Sequence, residues 1–130
     1  MRTHDLYREI NVAQQQADPS SVLSFWKRMI KFRKAYGRVL VYGTFEMTEM
    51  DNEQTFVFAK REIGGDRQAV VALNFSSQEQ TVRLPHGNVV FGFGNYDDAK
   101  VVERAHAGCK ERRLRPWEGR VYVSAARGHI

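Results

Sequence analysis

The sequence has few of the residues that build metal sites and disulfides. Its 130 residues include one cysteine, Cys109, and four scattered histidines. A single cysteine cannot form an internal disulfide, which favours a reducing compartment and excludes a metal site made of cysteines. His106 lies close to Cys109, but one such pair without further ligands is a weak metal signal. We therefore expect no metal and no cofactor.

Long apolar stretches are also missing. No run approaches the ~18 residues that suggest a membrane span. The opening MRTHDLYREINVAQQQ lacks the apolar centre of a signal peptide. Hydrophobic residues make up 42% and charged residues 27% of the chain, which is ordinary for a folded globular domain. These features predict a cytoplasmic protein without a membrane partner.

Motifs that carry catalysis are absent as well. The glycines Gly92 and Gly94 precede no helix pattern, and no Lys followed by Ser or Thr completes a phosphate loop. The adjacent Asp97 and Asp98 suit a turn better than a catalytic pair. No serine or cysteine stands in a nucleophile-elbow pattern. The residues by themselves predict no catalytic side chain.

One long amphipathic helix is predicted from DPSSVLSFWKRMIKFRK, residues 18–34. Asp18 is a suitable N-cap, Pro19 suits the first turn, and Gly37 suits the C-terminal end. Apolar residues recur at the spacing of one buried helix face. This apolar stripe consists of Val22, Phe25, Trp26, Met29 and Ile30.

After residue 37 the pattern changes to short strands. Segment 69–75 is apolar on both faces, which predicts a central strand, and residues 64–68 suit a hairpin turn. In the segment 55–60, Phe56 and Phe58 share a face and are expected in the core. The spacing predicts an antiparallel β-sandwich. Strands are expected at 38–47, 55–60, 69–75, 81–84, 89–93 and 119–123, with a weaker one at 100–104.

The basic charge is concentrated at the start of the chain. Residues 1–37 contain seven Lys or Arg and three Asp or Glu, or +4 of the net +5. Such a helix could contact nucleic acid, and this stays a third hypothesis. Because no nucleic-acid motif accompanies the charge, we favour a solvated helix face whose basic residues complement the helix dipole.

Three phrases, in order, resemble the C-terminal part of α-glucosidases of glycoside hydrolase family 13, of the maltase and oligo-1,6-glucosidase type. The first, YREINVAQQQADPSSVLSFWKRMIKFRKAYGRVLVYGTFE (7–46), is similar to the stretch that leaves the catalytic (β/α)8 barrel. The others are VVALNFS (70–76) and LRPWEGRVYV (114–123).

The resemblance implies a mainly β fold: the antiparallel β-sandwich of domain C, preceded by the last helix of a missing barrel. Residues 1–37 would end the barrel and residues 38–130 would form domain C. The apolar stripe would then face the barrel, the main partner. A barrel of ~250 residues cannot fit in this chain, and the family's catalytic phrases do not occur. We therefore expect a structural, stabilising domain that is inactive alone.

The second hypothesis is a stand-alone carbohydrate-binding module. Tyr96 and Trp117 each adjoin a turn, and exposed aromatic side chains there could hold an α-glucan oligosaccharide.

Overall fold

A computed structural model describes residues 1–85, 89–104 and 110–124 of the chain. The chain divides into two compact units, Met1–Ala35 and Tyr36–Ile130. In the described part, the first unit holds α1 (Val12–Ala17) and α2 (Val22–Ala35). The second holds α3 (Gly37–Leu40), β1 (Glu46–Glu49), β2 (Thr55–Arg61), β3 (Gln68–Asn74), β4 (Gln80–Arg83), β5 (Val89–Gly94), α4 (Ala99–Arg104), β6 (Glu111–Leu114) and β7 (Gly119–Ser124).

The two helices of the first unit begin at short polar side chains. Asn11 caps α1, since its Oδ1 accepts a hydrogen bond from Gln14 N at 2.9 Å. Ser21 caps α2 in the same way, since its Oγ accepts a hydrogen bond from Ser24 N at 3.2 Å. In the turn before α2, Asp18 Oδ1 accepts a hydrogen bond from Ser20 N. The predicted N-cap was therefore wrong by three residues, and α1 was not predicted.

The start of the second unit also differs from the prediction. Residues 38–47 were expected to form a strand, but residues 37–40 form the short helix α3 and β1 begins only at Glu46. The amide groups of Val39 and Leu40 both donate to Tyr36 O, at 3.1 and 2.9 Å. Val39 is completely buried. Burial of this side chain and local hydrogen bonds override the β propensity of the valines.

Five strands form an antiparallel sheet in the order β1-β2-β3-β7-β5. The central position of β3 confirms the prediction made from its two apolar faces. Strands β2 and β3 pair from Thr55 opposite Asn74 to Arg61 opposite Gln68. The turn between them includes Gly64 at φ +74°, where glycine avoids the steric cost of a side chain.

A second sheet, made of β4 and β6, covers one face of the first. Alternate residues of the large sheet and of the small sheet meet in one core, which confirms an antiparallel β-sandwich. The buried members of this core are Val57, Ala59, Val70, Ala72, Val82, Leu84, Leu114 and Tyr122.

The phenylalanines of β2 lie on the other face of the large sheet. Phe56 and Phe58 share a face, as predicted, but they are half-buried and pack with Phe45 outside the main core. The ring centroids of Phe45 and Phe58 are 5.1 Å apart. Alternation along β2 instead gives the core Val57 and Ala59.

The region after β5 contains the remaining differences. The weak strand expected at 100–104 is the helix α4, whose Val101 and Val102 amides donate to Asp98 O. Strand β6 was not predicted, while His106 and Cys109 lie outside the described residues. Among the described residues, we find no helix with the length and apolarity to cross a bilayer.

Candidate functional site

The apolar stripe lies on α2, and three of its side chains, Val22, Trp26 and Ile30, form a row with a spacing of four residues. None of the residues of α2 is buried. Val22, Trp26 and Ile30 are 65%, 51% and 45% exposed, whereas Phe25 and Met29 are half-buried. Rows at this spacing form one side of a helix. The structure therefore presents a ridge of large apolar side chains, and its role as a barrel-facing surface stays a prediction.

Tyr96 and Trp117, the two residues predicted to contact sugar, come together at one end of the sandwich. Tyr96 lies in the turn after β5, and Trp117 lies in the turn between β6 and β7. Asn95 joins the two turns: its Nδ2 donates to Trp117 O and its Oδ1 accepts from Gly119 N, both at 2.9 Å. The positions of Tyr96 and Trp117 in the sequence did not indicate that their turns would be adjacent.

The two aromatic side chains have different surroundings. The Tyr96 hydroxyl donates to Pro116 O at 2.7 Å, and the Arg115 guanidinium lies 3.9 Å from the ring centroid, in cation–π geometry. Trp117 is 61% exposed. Its backbone is in the left-handed region at φ +58°, which is rare for a bulky residue. Tyr96 thus supports the turn, and Trp117 projects from it.

Beneath this turn lies the buried carboxylate of Glu118. It accepts hydrogen bonds from Arg115 Nη2 at 2.9 Å and from Arg120 Nη2 at 2.8 Å. Burial by itself raises the pKa of Glu118, but the hydrogen bonds from the two guanidinium groups outweigh it and leave the pKa below its ordinary value. Arg115 also binds Asp98 Oδ1 at 2.6 Å. Ion pairs therefore fix Arg115 and Glu118, which lie on either side of Trp117 in the turn.

A second buried carboxylate, Glu103 of α4, continues this network. Its Oε1 accepts from the Tyr122 hydroxyl at 2.6 Å and pairs with Arg120 Nη1, and its Oε2 accepts from Arg112 Nε at 2.8 Å. Burial raises the pKa of Tyr122, and the hydrogen bond to Glu103 raises it further. Burial lowers the pKa of Arg120, but its hydrogen bond to Glu118 helps leave the pKa above its ordinary value.

These ionic contacts hold together α4, β6 and β7, and sequence reasoning missed them. One signal was available: the predicted strand 119–123 places Arg120 on the same face as Tyr122, because side chains alternate along a strand. A buried arginine in a sandwich requires an acidic partner. The identity of this acidic partner could not be predicted, because Glu103 lies on α4 and this segment was predicted to be a strand.

The comparisons with known proteins point to one group of enzymes. An oligo-1,6-glucosidase of Saccharomyces cerevisiae is 38% identical over 125 residues, covering 93% of this chain and 20% of that enzyme. An α-glucosidase of the same yeast is 40% identical over 117 residues, covering 88% and 18%. The matched region is their C-terminal part. This chain is homologous to the C-terminal part of family 13 α-glucosidases. It spans about a fifth of the curated α-glucosidase relatives it matches.

A bacterial α-glucosidase relative and solved structures agree with this assignment. The oligo-1,6-glucosidase of Parageobacillus thermoglucosidasius is 35% identical over 121 residues, covering 89% of this chain and 20% of that enzyme. The trehalulose synthase MutB from Pseudomonas mesoacidophila MX-45 has the same fold, with a TM-score of 0.81 over 96% of this chain and 22% of that structure, at 23% identity. No protein-family model matches the chain.

Proposed function

We propose that this chain is the structural C-terminal part of an α-glucosidase that hydrolyses α-glucosidic bonds in oligosaccharides or disaccharides. Residues 1–37 would end the catalytic barrel and residues 38–130 would form its domain C. The relatives named α-glucosidase and oligo-1,6-glucosidase support this reading, and so does their length, about five times that of the matched segment. Since a barrel of ~250 residues does not fit here, the catalytic carboxylates would belong to the rest of the enzyme.

The observation that carries the proposal is the exposed ridge on α2. Helices of soluble proteins seldom leave three large apolar side chains in one row exposed, because burying each contributes on the order of 1.5–3 kcal/mol. Val22, Trp26 and Ile30 are each about half exposed or more. A barrel packed on this ridge would gain roughly half of that contribution per residue. With Phe25 and Met29, these side chains are the barrel-facing surface we propose.

The compartment is part of the same proposal. A single cysteine in 130 residues fits a reducing environment, so we propose that the enzyme acts in the cytoplasm. Fractionation of cells that produce the intact enzyme tests this, and recovery of the activity with the culture medium would contradict it.

A chimeric enzyme tests the structural role. In the yeast oligo-1,6-glucosidase, the matching C-terminal segment is replaced by this chain, and activity is followed during heating. We expect an active enzyme. Ile30→Ser removes an apolar side chain that would pack against the barrel, and it should lower the stability of the chimera by about 1 kcal/mol. Lys31→Ser, on the side of α2 away from the apolar stripe, should change the stability little. Both substitutions introduce the same residue at adjacent helical positions.

Two results would contradict the proposal. Hydrolysis of p-nitrophenyl α-glucoside by the 130-residue chain alone would show that it holds catalytic groups of its own. Equal loss of heat resistance in the Ile30→Ser and Lys31→Ser chimeras would show that the ridge has no special contact with the barrel.

A further inference from the structure

Phe75 is a further exposed aromatic residue on a backbone segment that contacts the turn of Trp117. Phe75 follows β3 directly and is 61% exposed. The next residue, Ser76, accepts a hydrogen bond from Trp117 N through its carbonyl oxygen at 3.1 Å. The two rings are therefore carried by backbone segments that are hydrogen-bonded to each other.

Neutral amide side chains belong to residues that neighbour Phe75 in the hydrogen-bond network of the backbone. Its backbone N donates to Gln54 O at 2.9 Å. The Gln80 amide donates to Gln54 Oε1 and to Ser76 Oγ, and it accepts from Asn52 Nδ2 at 3.0 Å. A primary amide offers two donor hydrogens and two acceptor lone pairs. These bonds use both donor hydrogens of Gln80, which therefore keeps only acceptor capacity, whereas the exposed Gln54 keeps its amide donors as well. We call Gln54, Phe75, Gln80 and Trp117 the Trp117 edge.

The backbone under the Trp117 edge is fixed. The Asn74 side chain donates to Gln78 O at 2.8 Å and to Arg115 O at 3.0 Å, and it accepts from Ser76 N at 2.9 Å. Asn74 and Ser76 are both buried. A binding surface that is already ordered loses little conformational entropy when a ligand arrives.

Charge argues against an anionic ligand. Nearby basic side chains are already paired: Arg115 binds Asp98 and Glu118, and Arg113 Nε lies 3.0 Å from Glu79 Oε1. The Trp117 edge then offers the exposed rings of Phe75 and Trp117, the amide donors of Gln54 and the amide acceptors of Gln54 and Gln80. Sugar rings match this combination, since their C–H faces are apolar and each hydroxyl is both donor and acceptor.

We propose that the Trp117 edge binds a neutral α-linked gluco-oligosaccharide, with the sugar face on the indole and its hydroxyls bonded to the amides. Only the choice of α-linked glucose rests on the function proposed above. The backbone strain at Trp117 fits this role, because strained residues persist where the surrounding contacts fix them and often serve ligand binding. Tyr96 acts here as a positioning residue, through its bond to Pro116 O.

Calorimetric titration of the 130-residue chain with maltoheptaose, with cellohexaose as the β-linked control, tests the proposal. Trp117→Gly removes the indole and accepts φ +58° without strain, so the fold should survive. We expect it to weaken maltoheptaose binding at least about tenfold, and Phe75→Ser to weaken it by a smaller factor. Tyr42→Ala removes another highly exposed aromatic ring and should leave the dissociation constant unchanged.

Three results would overturn this proposal. One is a folded chain, checked by circular dichroism, that gives no binding heat with maltoheptaose. Another is a dissociation constant that Trp117→Gly leaves unchanged, or equal binding of the two glucans. The third is a Trp117→Gly chimera that loses heat resistance with its sugar binding intact, which would assign the edge to a protein contact. Because the α2 chimeras are read by stability, either proposal can fail alone.

Discussion

Replacing Glu103 by alanine removes the acid on which three buried groups depend. Its carboxylate binds Arg112 and Arg120 and accepts the hydrogen bond of Tyr122. All three partners are at most 8% exposed. Removing one member of a buried ion pair usually costs about 3–5 kcal/mol, since the remaining charge stays buried without its partner. Because Arg120 keeps its ion pair with Glu118, we expect Glu103→Ala to lower the free energy of unfolding by about 3 kcal/mol rather than 5.

Urea denaturation followed by circular dichroism measures this loss. With a slope of about 2 kcal/mol per molar urea, the midpoint should fall by roughly 1.5 M. The matched control is Glu79→Ala, which breaks an ion pair of similar length between Glu79 and Arg113 at the surface. Its side chains are 50% and 74% exposed, so we expect at most about 1 kcal/mol.

A loss below about 1 kcal/mol for Glu103→Ala, at an unchanged denaturation slope, would refute the reasoning. It would mean that the buried arginines find water or other acceptors when the carboxylate is gone. The network would then be incidental to the stability of the sandwich.

Two further predictions concern pH and backbone packing. The lowered pKa of Glu118 means that its stabilisation is complete above its unfolded-state pKa of about 4.3 and is lost as pH falls below this value. The raised pKa of Tyr122 has the opposite consequence, since the unfolded chain loses its proton first and stability falls as pH rises above about 10. Urea midpoints measured across pH should fall at both the acid and the alkaline end. Tyr122→Phe should abolish only the alkaline fall, and an alkaline fall that persists in this variant would contradict its assignment to Tyr122. Gly43→Ala should destabilise the chain by more than 1 kcal/mol, because the added Cβ would lie 2.3 Å from Val39 O and 2.6 Å from Arg61 O. Gly37→Ala, which meets nothing within 4 Å, is its control, and equal thermal midpoints for the two variants would refute the clash.

Sequence periodicity was sufficient to predict β2 and β3, two neighbouring strands of the large sheet. Segments 55–60 and 69–75 alternate or are apolar on both faces, and they form β2 and β3 with the expected hairpin. Residues 38–40 also have high β propensity, yet they belong to the helix α3, where Val39 is buried. Propensity predicts a strand only where a neighbouring strand can take up its hydrogen bonds.

The charged network could not be predicted in this way. Strand β6 reads ERRL, so three of its four residues carry charge, which argues against a strand with a buried face. Arg112 nevertheless lies in the interior because Glu103 comes to it from α4. The partner is nine residues away in the sequence, at a spacing that no local pattern marks.

The same contrast explains where function should be sought in this chain. The interior of the sandwich consists of packed apolar residues and paired charges, so each of these interior groups is already used in maintaining the fold. The ridge on α2 and the Trp117 edge differ from the interior, because their large apolar side chains remain exposed. Neighbouring exposed apolar side chains of this kind are typical of binding surfaces. The interior thus accounts for the stability of the sandwich, and these two surfaces are where a barrel and a sugar would be recognised.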